Sequence, residues 1–227
     1  MTTNAINAAL SGLAAQQTGV QVTANNLANV NTNGFQASGV SLAERGGRDG
    51  VEISAIGRQL AQGSLQATGN ALDLAIQGDG YFVMKDAAGN SSYTRNGSFQ
   101  VDGAGYLADA GGRRVQGTDG DIQVGSGAVS VGADGTVSIT NSDGTKRNAG
   151  TLLVAQFANA GGLAAAGGSQ YTATANSGGA STGTAGVAGR GTLVAGYREM
   201  ANVDLAKEMT NLIVDEKAFA ANLATIK

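Results

Sequence analysis

Two heptad stripes, one at each end of the chain, constrain its fold more than any other feature. Ile6, Leu10, Leu13, Gln17, Val20, Ala24 and Leu27 follow one another at alternating spacings of four and three, and so do Leu205, Met209, Leu212, Glu216, Phe219, Leu223 and Ile226. Such an alternation holds a stripe on one side of a helix wound at about 3.5 residues per turn, the geometry of a coiled-coil seam. Both ends are therefore predicted as helices that need a partner. Isolated helices of this length are marginal in water, and Gly12 and Gly19 each cost about 1 kcal/mol relative to alanine, so packing must supply the stability. Two arrangements satisfy the pattern. One is a helical hairpin closing a globular domain; the other pairs the terminal helices with each other and with those of neighbouring copies.

Composition excludes several chemistries. The 227 residues include no cysteine, histidine, tryptophan or proline, while glycine reaches 37. A disulfide framework, a thiolate metal site and a cysteine nucleophile are ruled out, as are the commonest general base and the commonest metal ligand. A net charge of −3, with basic pairs only at Arg113-Arg114 and Lys146-Arg147, gives no footprint for nucleic acid, and those pairs are read as solvated surface. No Gly-x-Ser-x-Gly elbow or Ser-x-x-Lys dyad is present, and Gly78-Asp79-Gly80 lacks the lysine and helix of a phosphate loop and reads as a turn. Most aspartates sit in Asp-Gly turns, where they brace backbone rather than catalyse. The expectation is no catalytic residue, no cofactor and no metal. The N-terminus carries no signal-peptide pattern and no stretch is long and apolar enough to span a bilayer, so neither membrane insertion nor cleaved-signal export is expected.

Thr2, Thr3 and Asn4 can each cap the first helix, and the run Asn25, Asn26, Asn29, Asn31, Asn33, Gly34 reads as its end dissolving into turns. Residues 35–70 are polar and glycine-punctuated, an extended connector that is partly strand. From 71 the period becomes two, as in Leu72, Leu74 and Ile76 or Val137 and Ile139, which leaves Asp73 on the strand's surface. Turn dipeptides at Asp79-Gly80, Asn96-Gly97, Asp102-Gly103, Asp119-Gly120, Asp134-Gly135 and Asp143-Gly144 mark hairpins. Tyr81, Phe82, Tyr93, Phe99 and Tyr106 place the core of a β domain here. A strand is predicted over 150–157, loops around one strand at 171–174 over 158–191, and a last strand near 192–195. The second helix follows, capped by Asn202 or Asp204. The fold class is thus mainly β with terminal α-helices pairing as a coiled coil, an extended connector and an antiparallel β domain. Its domains are 1–34 with 200–227, 35–70, and 71–199.

Three motifs in order resemble one family. They are Ser11-Gly12-Leu13-Ala14-Ala15-Gln16-Gln17 with Ala24-Asn25-Asn26-Leu27-Ala28-Asn29-Val30-Asn31-Thr32-Asn33-Gly34-Phe35; then Gly63-Ser64-Leu65, Leu72-Asp73-Leu74-Ala75-Ile76-Gln77-Gly78-Asp79-Gly80-Tyr81-Phe82-Val83 and Tyr93-Thr94-Arg95-Asn96-Gly97-Ser98-Phe99; then Asn202-Val203-Asp204-Leu205-Ala206-Lys207-Glu208-Met209, continuing to Phe219-Ala220-Ala221-Asn222. The chain is similar to the flagellar rod and hook axial proteins of bacteria. That resemblance implies a structural subunit of a helical tube that transmits torque. The paired terminal helices would form the inner tube and the β domain an outer layer, with head-to-tail contacts that do not close. It also implies export by the flagellar export apparatus without a cleaved signal, and location in the basal body or hook. The partners are then copies of itself and other axial proteins.

The assembly interface expected on this reading comprises Ile6, Leu10, Leu13, Val20, Asn25, Asn26, Leu27, Asn29 and Asn31 in the first helix and its end. In the second it comprises Leu205, Met209, Leu212, Glu216, Phe219, Leu223 and Ile226. Two departures stand out. Glu216-Lys217 replaces the family's usual uncharged Gln followed by Arg, and a glutamate on an apolar seam needs a cation. Family members also continue several turns beyond the point matching Lys227, which implies a shorter inner tube or a trimmed end. The competing class is an extracellular adhesin or phage-tail-like protein that binds carbohydrate, for which Tyr171 and Tyr197 would be the exposed aromatics.

Overall fold

The computed structural model describes residues 3–46 and 50–226. The chain divides into two compact units, one comprising Met1–Asn31, Gln36–Ala61 and Asn202–Lys227 and the other Thr32–Phe35 and Gln62–Ala201. The fold is mainly β, with two α-helices among the described residues, one near each terminus.

In the first unit α1 (Thr3–Ala28) and α2 (Leu205–Ile226) pack against each other. Of the three expected caps of α1, Thr2 lies outside the described residues, and Thr3 and Asn4 are within the helix. The asparagine run does end it: Asn29 N–H bonds back to the Asn25 and Asn26 carbonyls. Asp204 caps α2, its Oδ1 accepting from Lys207 N at 3.1 Å. Asn202 does something else. Its Oδ1 accepts from Ala37 N at 2.7 Å and its Nδ2 donates to the Gln59 and Ala61 carbonyls at 2.8 and 2.7 Å, tying three stretches of this unit together. Much of the predicted connector is a long antiparallel hairpin, β1 (Ser38–Glu44) and β2 (Val51–Arg58), bulged between Ser41 and Leu42.

The second unit is built around one large sheet. After β3 (Leu65–Ala67) and β4 (Leu74–Gln77) come its central strands β5 (Tyr81–Lys85) and β6 (Ser91–Thr94). β5 pairs with β6 and also with strands 114–117 and 153–156. Successive side chains of a strand point to opposite faces, and β5 uses both. Phe82 and Met84 join Leu74, Ile76, Leu107, Ile122 and Leu152 in the main core, while Tyr81 and Val83 join Tyr93, Ala155, Leu163 and Tyr171 on the other face. Tyr81 packs edge to face on both Phe157 and Tyr171. The terminal strands of the unit close it, 192–195 on β4 and 197–199 on β3.

The aspartate turns divide into two kinds. Asp134-Gly135 and Asp143-Gly144 turn the hairpins of a separate three-stranded sheet, 128–131, 136–140 and 146–151. Asp86, Asp102 and Asp109 instead accept the backbone N–H four residues on, from Asn90, Tyr106 and Arg113 at 2.8, 2.8 and 2.9 Å. The glycine that matters in these turns comes third after the aspartate, as at Gly89 with φ 89°, so the Asp102-Gly103 dipeptide is not itself the turning point. The region 158–191, predicted as loops around one strand, holds strands 164–167, 170–172 and 181–184.

Candidate functional site

α1 and α2 meet through small and polar residues. A Cβ built on Gly12 would lie 2.6 Å from Asn222 Nδ2, and one on Gly19 would lie 2.8 Å from Asp215 Oδ2. One heptad further, Asn26 Nδ2 donates to Glu208 Oε1 at 3.2 Å. Each seven-residue step forward along α1 is answered by a seven-residue step back along α2, so the helices are antiparallel in one register. The glycines let the backbone approach polar side chains, and the asparagine closes the series by hydrogen bonding. Asn26 and Glu208 are only 1% and 4% exposed. The amide of Asn26 also holds β1, donating to Ser38 O at 2.8 Å and accepting from Ser38 N at 2.9 Å. Burial pushes the carboxyl of Asp215 up from its usual range.

The heptad stripes are covered only in part. Leu10, Leu205, Met209, Phe219 and Leu223 are exposed, Met209 to 52% and Leu223 to 43%, and so are Ile213 and Val214 beside them. Ile6, Leu13, Val20, Leu27, Leu212 and Ile226 are half-buried. Of the asparagines, Asn26 is buried inside the unit, Asn25 and Asn31 are exposed, and Asn29 is half-buried, donating from its side chain to Asn25 O at 2.9 Å. Glu216 is exposed, so within one chain the cost expected for it on an apolar seam does not arise. The structure thus places the predicted residues on two helices, with Asn29 and Asn31 just past the end of α1, and leaves Leu10, Leu205, Met209, Phe219 and Leu223 exposed, where apolar surface marks an interaction site.

In the second unit the residues singled out by motif are mostly buried. Arg95 pairs with Glu199 at 2.8 Å. Asp73, expected on the surface, is 1% exposed and lies 3.0 Å from Arg198, because it precedes β4 rather than alternating within it. Arg113 and Arg114, expected as solvated surface, pair with Asp109 and with Asp102 and Asp121, and Arg114 stacks on Tyr106 with its guanidinium carbon 3.9 Å from the ring centre. Tyr171 is buried in the second core, which withdraws one of the two aromatics a carbohydrate site needed. Among the described residues there is no cluster of carboxylates that could hold a metal ion, and no helix is long and apolar enough to cross a membrane.

Three family models match the chain: the flagella basal body rod protein over residues 6–36, the D1 domain of the flagellar hook protein FlgE/F/G over 75–139, and the C-terminal region of the flagellar basal body rod FlgEFG protein over 194–227. The chain is 36% identical to the flagellar basal-body rod protein FlgG of Bacillus subtilis, across 94% of its own length and 90% of that protein. The chain belongs to the flagellar basal-body rod protein family. It is likewise 34% identical to FlgG of Caulobacter vibrioides, across 98% of the chain and 94% of the relative. A rod protein of Escherichia coli, FlgF, is 40% identical over 53% of the chain and 51% of its own length. These relatives are structural rod proteins, and the chain is a structural subunit of the flagellar axial structure, not an enzyme.

Proposed function

We propose that the chain is a rod subunit that self-assembles into a helical tube through the outward faces of its terminal helices. The supporting observation is the exposed apolar stripe of Leu10, Leu205, Met209, Ile213, Phe219 and Leu223 on helices whose mutual contact is made by glycine, asparagine and carboxylates. Two helices that approach closely at small residues and share one buried hydrogen bond leave these large apolar side chains for other copies. Covering those side chains drives the association, at about 25 cal/mol for each Å² of apolar surface removed from water. In the tube the helices then pack as coiled coils between copies, with Asn25, Asn29 and Asn31 as hydrogen-bonding groups at the helix end. Residues 1–34 and 200–227 form the inner tube, 35–70 connects, and 71–199 forms the outer layer. Because the contact is head to tail and does not close on itself, the product is an open filament able to transmit torque.

The partners on this reading are copies of the chain, the axial proteins above and below it, and the flagellar export apparatus, which delivers it without a cleaved signal. Rod is favoured over hook because the full-length relatives are rod proteins. The test is electron microscopy of basal bodies from cells lacking the chain and from cells complemented with it. A truncated rod restored by complementation supports the reading. A complete rod without hook moves the chain outward to the hook, and an intact rotating flagellum removes it from the axial structure.

A further inference from the structure

Three of the motif stretches meet at a single buried ion pair. Arg95 follows the last residue of β6, is 5% exposed, and donates four hydrogen bonds from the five N–H groups of its planar fork. Nε donates to Glu199 Oε2 at 2.8 Å, Nη1 to the Gly78 and Gly80 carbonyls at 2.7 and 2.8 Å, and Nη2 to Ile76 O at 3.3 Å while lying 2.8 Å from the same Glu199 oxygen. The turn that superficially resembled a phosphate loop is thus a carbonyl cradle for a guanidinium.

Glu199 passes this anchorage on. Its other carboxylate oxygen accepts from Gly63 N at 3.1 Å, and its backbone carbonyl accepts from Gly34 N at 2.8 Å. The next residue, Met200, donates its N–H to Ser64 O at 2.9 Å. The chain enters or leaves the β unit at the short stretch Thr32–Phe35, at Gln62 and at Ala201. Glu199 holds the first through Gly34 and the second through Gly63, and it belongs to the third. A buried ion pair is a poor way to gain stability, since desolvation offsets most of the attraction and apolar side chains would fill the space as well. Its worth lies in direction: only a carboxylate fixed in orientation can present one oxygen to a guanidinium and the other to a backbone amide.

We propose that Arg95 is a positioning residue that aims Glu199, so that one residue, through its carboxylate at Gly63 and its backbone carbonyl at Gly34, pins all three stretches where the chain enters or leaves the β unit. Load passed along the axial structure enters the β unit at this pin, a consequence that rests on the assembly reading above.

The test is residue-resolved amide hydrogen exchange on the full chain, comparing Arg95→Met, Arg95→Lys and, as a control in the separate three-stranded sheet, Ile139→Val. Arg95→Met is expected to speed exchange at Gly34, Gly63 and Met200 together by about tenfold or more, while the Val83 and Val154 amides of the main sheet stay protected. Arg95→Lys is expected not to restore them, because an ammonium cannot serve a carboxylate and three carbonyls in one plane. Ile139→Val should leave all three untouched. Where Arg95→Met does not fold, Glu199→Gln keeps the shape and should show the same three-site release. Release of Gly63 while Gly34 stays protected, or full rescue by lysine, overturns the pin. In cells, an Arg95→Lys chain is expected to build flagella that rotate freely but fail in tethered cells at high load. Normal high-load rotation together with three-site release overturns the load path and leaves the pin standing. If the wild-type chain never enters the flagellum, the assembly reading fails while the exchange result is unaffected.

Discussion

Replacing Asn26 with aspartate exchanges one nitrogen for oxygen at the centre of the helix unit's polar network. The nitrogen lost is the donor to Ser38 O and to Glu208 Oε1, the latter 3.2 Å away. With both carboxyls ionised, two like charges would face each other at that distance and repel by about 5 kcal/mol at an effective dielectric near 20. Neutralising one carboxyl of ordinary pKa near 4 at pH 7 costs only about 4 kcal/mol, so the pair takes up a proton and the penalty stops there. Asn26→Asp is therefore expected to be about 4 kcal/mol less stable at pH 7. The shared proton raises the pair's folded pKa above its unfolded value, so its contribution is fully present below about pH 4 and is lost as pH rises through the folded value. The deficit should accordingly shrink by about 2–3 kcal/mol between pH 7 and pH 5. Asn26→Ala loses the three hydrogen bonds without adding charge and should show a deficit of about 2–3 kcal/mol that does not change between the two pH values. Urea melts at both pH values, with hydrogen exchange at the Ser38 amide as the local probe, give the comparison. A deficit for Asn26→Asp that is equal at pH 7 and pH 5, or absent at pH 7, refutes the reasoning.

Three further outcomes follow from the geometry. Gly34 has φ 65° and a Cβ there would fall on the Asn96 backbone nitrogen, so Gly34→Ala should destabilise the β unit by about 2 kcal/mol or more; a loss under about 0.5 kcal/mol in urea melts argues against that packing. Turn hydrogen bonds hold four carboxyls below their usual range: Asp86 chiefly through the Asn90 side chain, Asp102 through Tyr106 N–H, Asp134 through Thr136 N–H and Asp143 through the Thr145 hydroxyl. A depressed folded pKa contributes stability above the unfolded value near 4 and loses it as pH falls through the folded values, so these exposed turns should each lose a small, solvent-screened contribution below pH 4, and Asp→Asn variants of them that leave the acid limb of the β unit's profile unchanged contradict the assignment. Met209→Asp should change the free chain by less than about 0.5 kcal/mol while abolishing assembly in sedimentation, since an exposed site tolerates a charge that a covered apolar face does not; normal assembly counts against the interface.

What the sequence disclosed and what it hid have physical causes. Heptad spacing located both helices, because apolar periodicity reports which side of a helix avoids water. It did not reveal which residues the two helices present to each other. Gly12, Gly19 and Asn26 also recur every seven residues, as do Glu208, Asp215 and Asn222, but small and polar residues carry no hydrophobic signal. Their pairing becomes visible only once two backbones lie side by side. Asn26 was legible as part of a helix end, yet its burial depends on Ser38 and Glu208 arriving from elsewhere. Asp73 was misplaced because alternation presumes a strand that begins before it, whereas β4 starts at Leu74 and is buried at Leu74, Ala75 and Ile76 alike. Arg95 stands in the sequence only as one residue of a motif, beside the Asn96-Gly97 turn. Its partner lies 104 residues away, beyond the reach of any local pattern. The Asp-Gly turns at 134 and 143 were readable outright, since the left-handed glycine follows the aspartate directly.

The account turns on a division of faces: polar contact within one chain, apolar contact between chains. Single cysteines at Met209, Ile213 and Leu223, introduced into a chain that has none, measure it through maleimide labelling of the free chain and of assembled rods. The account predicts fast labelling of all three in the free chain and strong protection in rods. Equal labelling in both states would contradict it and place the assembly contact on another surface.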